Sequence, residues 1–404
     1  MMTSANGQYY QKQRGISLTD LISFCMPFSF FLMQYRSLIG TVNLTVSIAF
    51  AVLCILVNKK TRLNGPFMAY TLFLVLRTAM TYFSVDTVII GQFMNLIVQY
   101  LLCAVSVLII SQSIDIKKLY KSWSIVAVIV CAAVIWQSIQ IYVFRRTVLP
   151  IKLLPFSDSA GWTTQSPRPV AFFTEPAVIV AILTPVIFLG ILYKQLKFAL
   201  FLSFCALLTS STTAIVAVAV LWGTHIYTGG YSNKRKMQFT LLMVLASVVV
   251  MILPVFQTTT EKLLHEISGE SSNAFGRAVS GWLVYQHLDL SSQIFGIPHY
   301  DISAYLHQHA EYHAYLSQIR TASGAAYFFN TAQRIFLTTG LSGAFLYLFM
   351  LFRVFKLMPV VYRPYLIYVI IIMFFASNFY MSNFFMMQFT VIFALINQGE
   401  HVFK

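Results

Sequence analysis

The sequence predicts an all-α protein of about twelve membrane-spanning helices with a large, partly helical loop on one side. Three observations carry this. The chain is 58% hydrophobic and only 10% charged, with a mean hydropathy of +0.75, whereas a soluble domain carries roughly 25% charged residues. Basic residues gather in short turns that alternate along the chain, and a single long polar interval, 257–334, breaks the apolar pattern late in the sequence. At ~20 residues per span plus short connections, 404 residues form one integral membrane domain, 1–404.

The net charge of +15 would point to nucleic acid in a soluble protein. Here topology accounts for most of it, so the expected partner is the lipid bilayer and no nucleic acid. Lys12 and Arg14, Lys59, Lys60 and Arg62, Lys117, Lys118 and Lys121, Lys194 and Lys197, Lys234 to Lys236, Arg353, Lys356 and Arg363, and Lys404 fall in alternate turns. Positive charge in short loops resists translocation, so these turns are expected on the cytoplasmic side. Ten basic residues do not follow that rule: Arg36, Arg77, Arg145, Arg146, Lys152, Arg168, Lys262, Arg277, Arg320 and Arg334. The five cysteines all lie in apolar runs, which indicates neither a disulfide framework nor a cysteine metal site.

Taken in order, spans are expected at 19–35, 40–58, 65–84, 88–111 and 123–143. The first follows a basic segment without a small-residue cleavage site and reads as a retained signal anchor. Arg77 sits inside the third span, where a charge needs protein, water or an anionic ligand. The fifth ends at Arg145-Arg146, which the alternation places outside. The outer loop 144–170 carries Pro150, Pro155, Gly161 and Pro167 and reads as irregular. Its basic residues suit an anion or lipid headgroups. A sixth span is expected from about Ala171, with Glu175 one turn in. Arg168, seven residues earlier, could then share a face with Glu175, the carboxylate orienting the guanidinium.

The stretches 198–208 and 214–227 are short, and Thr209 to Thr213 between them are all hydroxyl residues. They read as a helical hairpin whose hydroxyls satisfy backbone groups at the break or line a polar cavity. A ninth span at 238–255 leads into the large outer loop 257–334, inserted before the tenth at 335–352. The region 365–398 is too long for one span and is interrupted at Ala376-Ser377-Asn378. Two short helices there return the chain, which puts both termini in the cytoplasm.

The large loop holds six of the eight histidines. Ser271-Ser272-Asn273 can cap a helix with Phe275, Val279, Trp282 and Leu283 on one stripe. A break at Phe295-Gly296-Ile297-Pro298 follows, and Asp301 then suits the cap of a second helix. On that helix His309, His313 and Arg320 share a side with Ile302, Leu306 and Leu316, a face suited to packing inward. His309 with His313, and His307 with Glu311, have spacing that can bind zinc, but a full zinc motif is missing, and solvated or hydrogen-bonded histidines remain the plainer account.

The order of several local features resembles bacterial O-antigen polymerases and the related O-antigen ligases. They are Arg168 followed by Phe172-Phe173-Thr174-Glu175-Pro176, the hydroxyl-rich hairpin, Gly276-Arg277 followed by Trp282 and Phe295-Gly296, and Asn330 leading to Gly340-Leu341-Ser342-Gly343. The resemblance implies a metal-independent, inverting membrane glycosyltransferase without cofactor, in the bacterial inner membrane. Such an enzyme joins undecaprenyl-diphosphate-linked repeat units, donor to acceptor, at the periplasmic face, and a chain-length regulator is a possible membrane partner. It further implies Arg168, Arg277, Arg334, Arg145 and Arg320 as diphosphate ligands, Glu175 as their orienter, and His309 or His313 as general base. Two departures favour polymerase over ligase: Phe329, not histidine, precedes Asn330, and Ser211 is followed by Thr212 instead of arginine. A lipid-linked oligosaccharide flippase or other secondary transporter is the rival class, although no internal repeat is visible.

Overall fold

The computed structural model describes residues 17–37, 40–57, 64–82, 90–154, 162–228, 232–234, 236–241, 281–297, 330–373 and 382–399. Within them the regular structure is helical apart from a short antiparallel ladder, β1 (Arg36–Ser37) on β2 (Gly40–Thr41), and an isolated bridge from Val148 to Ser166. The first helices are α1 (Leu18–Phe31), α2 (Val42–Val57), α3 (Gly65–Tyr82) and α4 (Ile90–Val105), which continues through a π-helical turn (Ser106–Ile110) and a 3-10 turn (Ser111–Ser113). Then come α5 (Ile116–Tyr142), α6 (Pro176–Leu192), α7 (Leu196–Leu208) and α8 (Thr212–Thr228). The late elements are α9 (Gly281–His287), α10 (Leu290–Phe295), α11 (Thr331–Leu357), α12 (Arg363–Ile371) and α13 (Asn383–Gln398). Helices α5 and α11 are long and apolar enough to cross a membrane, and shorter apolar helices accompany them.

Cross-links between helix ends sort the bundle into two poles. At one, Lys118 pairs with Asp20, Tyr120 donates to Gln195 at 2.8 Å, Gln398 donates to the Ile114 carbonyl, and Tyr362 donates to the Gly399 carbonyl. The starts of α1, α5, α7 and α12 and the ends of α6, α11 and α13 therefore lie together with Lys117, Lys118, Lys121, Lys194, Lys197, Arg353 and Lys356. At the other pole Asn383 donates to the Met33 carbonyl, the Thr174 N–H donates to Gln34, and the Leu153 N–H donates to the Tyr35 hydroxyl. Successive helices thus alternate in direction, as the alternating basic turns require.

The core is one continuous apolar cluster with α6 near its centre. This helix is apolar all round and buried from Val178 to Ile191, because α5, α7, α8 and α13 surround it. Two helix starts differ from the sequence expectation, each for a local reason. Helix α5 begins at Ile116 instead of near 123, since Asp115 accepts the N–H groups of Lys117 and Lys118 at 2.9 and 3.1 Å. Its first lysines consequently ride on helix. Helix α6 begins at Pro176, not near Ala171. Proline suits the first helical position and pushes the residue before it out of the helical region, and Glu175 is accordingly extended, at φ −140° and ψ 140°. Glu175 is the cap residue, so no common helical face joins it to Arg168.

Other expectations hold. The stretch 198–227 is a hairpin of α7 and α8, turning at Ser210 with φ 50°. The last apolar region contains two described helices, α12 and α13, with the interruption expected at 376–378 outside the described residues, and a break follows Phe295. Helix α11 starts at a capping box in which Asn330 and Gln333 bond reciprocally. It is interrupted at Gly340, which has φ 61° and ψ −165°.

That interruption receives α10. Gly296 has φ 81°, and a Cβ there would lie 2.3 Å from the Thr338 carbonyl carbon; a Cβ on Gly340 would lie 2.3 Å from the Ile294 oxygen. The Ile297 N–H donates to the Leu337 carbonyl at 2.7 Å, and Ser342 donates to the Ile294 carbonyl at 2.8 Å. From α3, Arg77 closes the joint by donating to the Phe295 and Gly296 carbonyls at 2.6 and 2.5 Å. The charge inside the third span is therefore held by backbone carbonyls at a helix C-terminus, where a cation is favoured.

Alanine at Gly296 or Gly340 would meet both a left-handed backbone and a backbone clash, so each should destabilise the protein by roughly 2 kcal/mol or more. Gly65, with nothing within 4 Å of its added Cβ, is the matched control. Thermal melts of the three variants in one detergent check this, with Gly65→Ala expected to melt like the parent.

Candidate functional site

The pole away from the lysine turns is built on an irregular segment, 143–175, that runs from α5 to α6. Its residues 155–161 lie outside the described residues. A segment of this kind needs partners for its backbone, and Gln137 of α5 supplies several. Its side chain is fully buried. Its amide nitrogen donates to the Leu149 carbonyl at 3.0 Å, and its oxygen accepts the Val170 and Ala171 N–H groups at 2.8 and 2.7 Å. Ala171 can then hold its positive φ of 48°.

Arg168 stands on this framework. The Ser166 hydroxyl accepts its N–H at 3.1 Å and donates to its carbonyl at 2.8 Å, which fixes the backbone. The guanidinium reaches across to the hairpin of α7 and α8, where Nη1 donates to the Ser210 carbonyl at 3.3 Å. The left-handed turn at Ser210 presents that carbonyl, and the Tyr142 hydroxyl holds the Ser210 side chain at 3.1 Å. Burial lowers the pKa of Arg168, and the Tyr142 and Glu175 charges oppose that shift. An arginine starts so far above neutrality that the group stays cationic.

Three further hydroxyls of the hairpin turn, those of Thr209, Ser211 and Thr213, are buried and hydrogen-bonded. Thr209 donates to the Ala206 carbonyl at 2.6 Å, and Ser211 and Thr213 share a hydrogen bond of 2.5 Å. Of the two expectations for this turn, satisfying the helix break describes these three, while Ser210 alone faces Arg168. Glu175 is exposed and makes no ion pair with Arg168. It acts on the guanidinium only through its field, and the two serine contacts orient Arg168 instead.

Arg145 is exposed with φ 55°, ending α5, and the Arg146 N–H returns to the Gln140 carbonyl at 3.0 Å. Beside them lies an open groove of about 310 Å³ whose polar lining includes Gln140, Arg146, Thr147 and Gln165. Arg334 belongs to a second unit at the same pole. It lies half-buried in the first turn of α11, beside Gln333, whose side chain packs on Gly281. Trp282 and Tyr285 of α9 pack edge-on against Phe336. Asp289 caps α10, and its bonds to Ser291 and Ser292 hold its carboxyl down at about 2. His309, His313, Arg277 and Arg320 lie outside the described residues.

The structure thus joins Arg168 to Tyr142 and Ser210, detaches Glu175 from direct contact, leaves Arg145 exposed and puts Arg334 in the α9–α11 unit. Sequence reasoning missed Gln137 and Tyr142. A lone glutamine inside the apolar run of α5 was the available signal for the first. Taken together, fold and site define an all-helical, strongly apolar bundle with two helices fit to cross a membrane and a guanidinium held at one pole. Neither a scan against protein-family models nor a search of curated proteins finds a match to the chain.

Replacing Gln137 by leucine would strand one carbonyl and two N–H groups in the interior, at ~1–3 kcal/mol for each unsatisfied group. The expected outcome is faster proteolytic cleavage and hydrogen exchange confined to 143–175, measured on the purified protein, with α1 and α13 unchanged.

Proposed function

We propose that the chain is an integral membrane glycosyltransferase. It polymerises undecaprenyl-diphosphate-linked oligosaccharide repeat units into O-antigen or a related surface polysaccharide at the periplasmic face of the bacterial inner membrane. The observation that carries this reading is Arg168: a guanidinium fixed by backbone and hairpin contacts at the pole opposite the lysine turns, with no carboxylate paired to it among the described residues. A guanidinium fixed in this way suits a diphosphate, whose oxygens match its planar fork. The alternating helix directions support about twelve spans, with both termini on the cytoplasmic side and 257–334 outside.

In the proposed reaction an acceptor hydroxyl oxygen attacks the donor's anomeric carbon. Its proton passes to a base, the new glycosidic C–O bond forms with inversion, and the bond to the lipid diphosphate breaks with its electron pair on the leaving oxygen. Arg168, Arg277 and Arg334, together with Arg145 and Arg320, neutralise that leaving group. His309 or His313 takes the proton. Glu175 tunes Arg168 through its field. Charge neutralisation of this kind needs no metal in principle.

Alanine at Arg168, Arg277 or Arg334 is expected to collapse long surface glycans to single or few repeats, with polymerisation reduced about 100-fold or more. Arg168→Lys should retain part of it. Full-length glycan ladders in all three alanine variants would refute the assignment. The break in α11 at Gly340 also suits a carrier, since discontinuous helices mark transporter sites. Purified protein with lipid-linked repeat units decides: chain growth without a gradient supports the polymerase, translocation without growth the flippase, and transfer only to a lipid core acceptor the ligase.

A further inference from the structure

The π-helical turn of α4 lies against α2, and α2 also packs on α1. Three side-chain atoms in this region are buried without a hydrogen-bond partner among the described residues: Asn43 Nδ2 and Ser47 Oγ on α2, and Ser106 Oγ at the start of the π turn. Their residues are at most 1% exposed. Leaving such groups unpaired in an apolar core costs ~1–3 kcal/mol each, so three together call for an explanation.

Helix register brings them to one level. Cys54 of α2 contacts Ser113 of α4 at 3.4 Å, and both helices run from the arginine pole to the lysine pole. Seven residues back from Cys54, about two α-helical turns, stands Ser47, and seven back from Ser113 is Ser106, at the start of the π turn that packs on α2. Asn43 is one further turn up α2, on the same face as Ser47.

Proton counting adds to this. Ser29 has one hydroxyl hydrogen, and it has two acceptors in reach, the Met26 carbonyl at 2.9 Å and Asn43 Oδ1 at 3.1 Å. If that hydrogen serves Met26, the Asn43 amide turns over, donates to Ser29 and points its oxygen at the serines. If it serves Asn43, the amide N–H points there instead. The species that satisfies the site in both orientations is one that donates and accepts.

We propose that Asn43, Ser47 and Ser106 enclose an ordered water that ties α2 to the π turn of α4. It has three polar partners, the usual number for a buried water. It satisfies the three atoms and gives the break in regular α4 a fixed partner. This holds whatever reaction the protein performs.

The test uses the full-length protein in nanodiscs. Ser47→Ala and Ser106→Ala are each expected to lower the melting temperature by roughly 2 °C or more. Their double variant should fall by less than the sum, because either change already deprives the water of a partner. Ser106→Thr, which keeps the hydroxyl, should recover part of the loss. A structure resolving waters should show one within hydrogen-bond distance of all three residues. Strictly additive or absent melting shifts, or a dry site, would overturn the proposal. A melting temperature raised by sodium but not by choline at equal ionic strength would also overturn it, in favour of a bound cation.

Discussion

In an apolar bundle every backbone group that leaves a helix must be satisfied by protein, and the described structure depends on that constraint at each of its irregular points. Among the described residues, four such points show how polar side chains meet it. Gln137 holds the segment 143–175 by three hydrogen bonds. Arg77 closes the end of α10, where the chain enters the gap at Gly340. Arg168 and Tyr142 attend to Ser210 between α7 and α8. In the π turn of α4 the Leu108 carbonyl accepts from Gln112 and Ser111 at 2.6 and 3.5 Å. These side chains come from helices near the break in space and often far from it in sequence.

The same constraint concentrates chemistry at one pole. A regular helix offers no free carbonyl along its length, so a fixed guanidinium or hydroxyl arises most readily beside an interruption. The arginine pole collects Arg145 and Ser210, both in left-handed conformation, and the extended cap at Glu175. The lysine pole is made of helix ends, capped by Asp115 at α5 and turned by the left-handed Lys194 at φ 58° after α6, with exposed lysines. The first pole thus holds groups fixed by hydrogen bonds, while the lysines of the second are exposed.

Much of this was legible in the sequence where the cause is local. The hairpin turn shows as five adjacent hydroxyl residues, the presence of two helices in 365–398 as an apolar run too long for one span, and the break after α10 as Phe295-Gly296. The start of α6 is legible too, because Pro176 directly after Glu175 marks a helix start, which leaves Arg168 and Glu175 without a common helical face. What the sequence could not reveal is pairing across distance. Nothing near Arg77 announces the carbonyls of Phe295 and Gly296, and nothing near Gly340 announces that α10 packs against it so closely that only glycine fits. Arg277, Arg320, His309 and His313, which carry half of the expected chemistry, lie outside the described residues.

The composition leaves arginine few acidic partners, since 27 lysines and arginines face only 12 aspartates and glutamates. Arg77 and Arg168 resolve this by binding carbonyl oxygens. A carbonyl dipole fixes a guanidinium without cancelling its charge, whereas a carboxylate would do both. Arg168 therefore remains a full positive charge beside a pole where Glu175, exposed and unpaired with it, is the nearest described acid. Lysine would fit the same places poorly, because a single ammonium cannot span the two carbonyls that Arg77 bridges with its planar fork. Retained positive charge on a rigid support, partly withdrawn from water, is what an anionic ligand binds most strongly, and the preference for backbone over carboxylate partners is what keeps that charge in place.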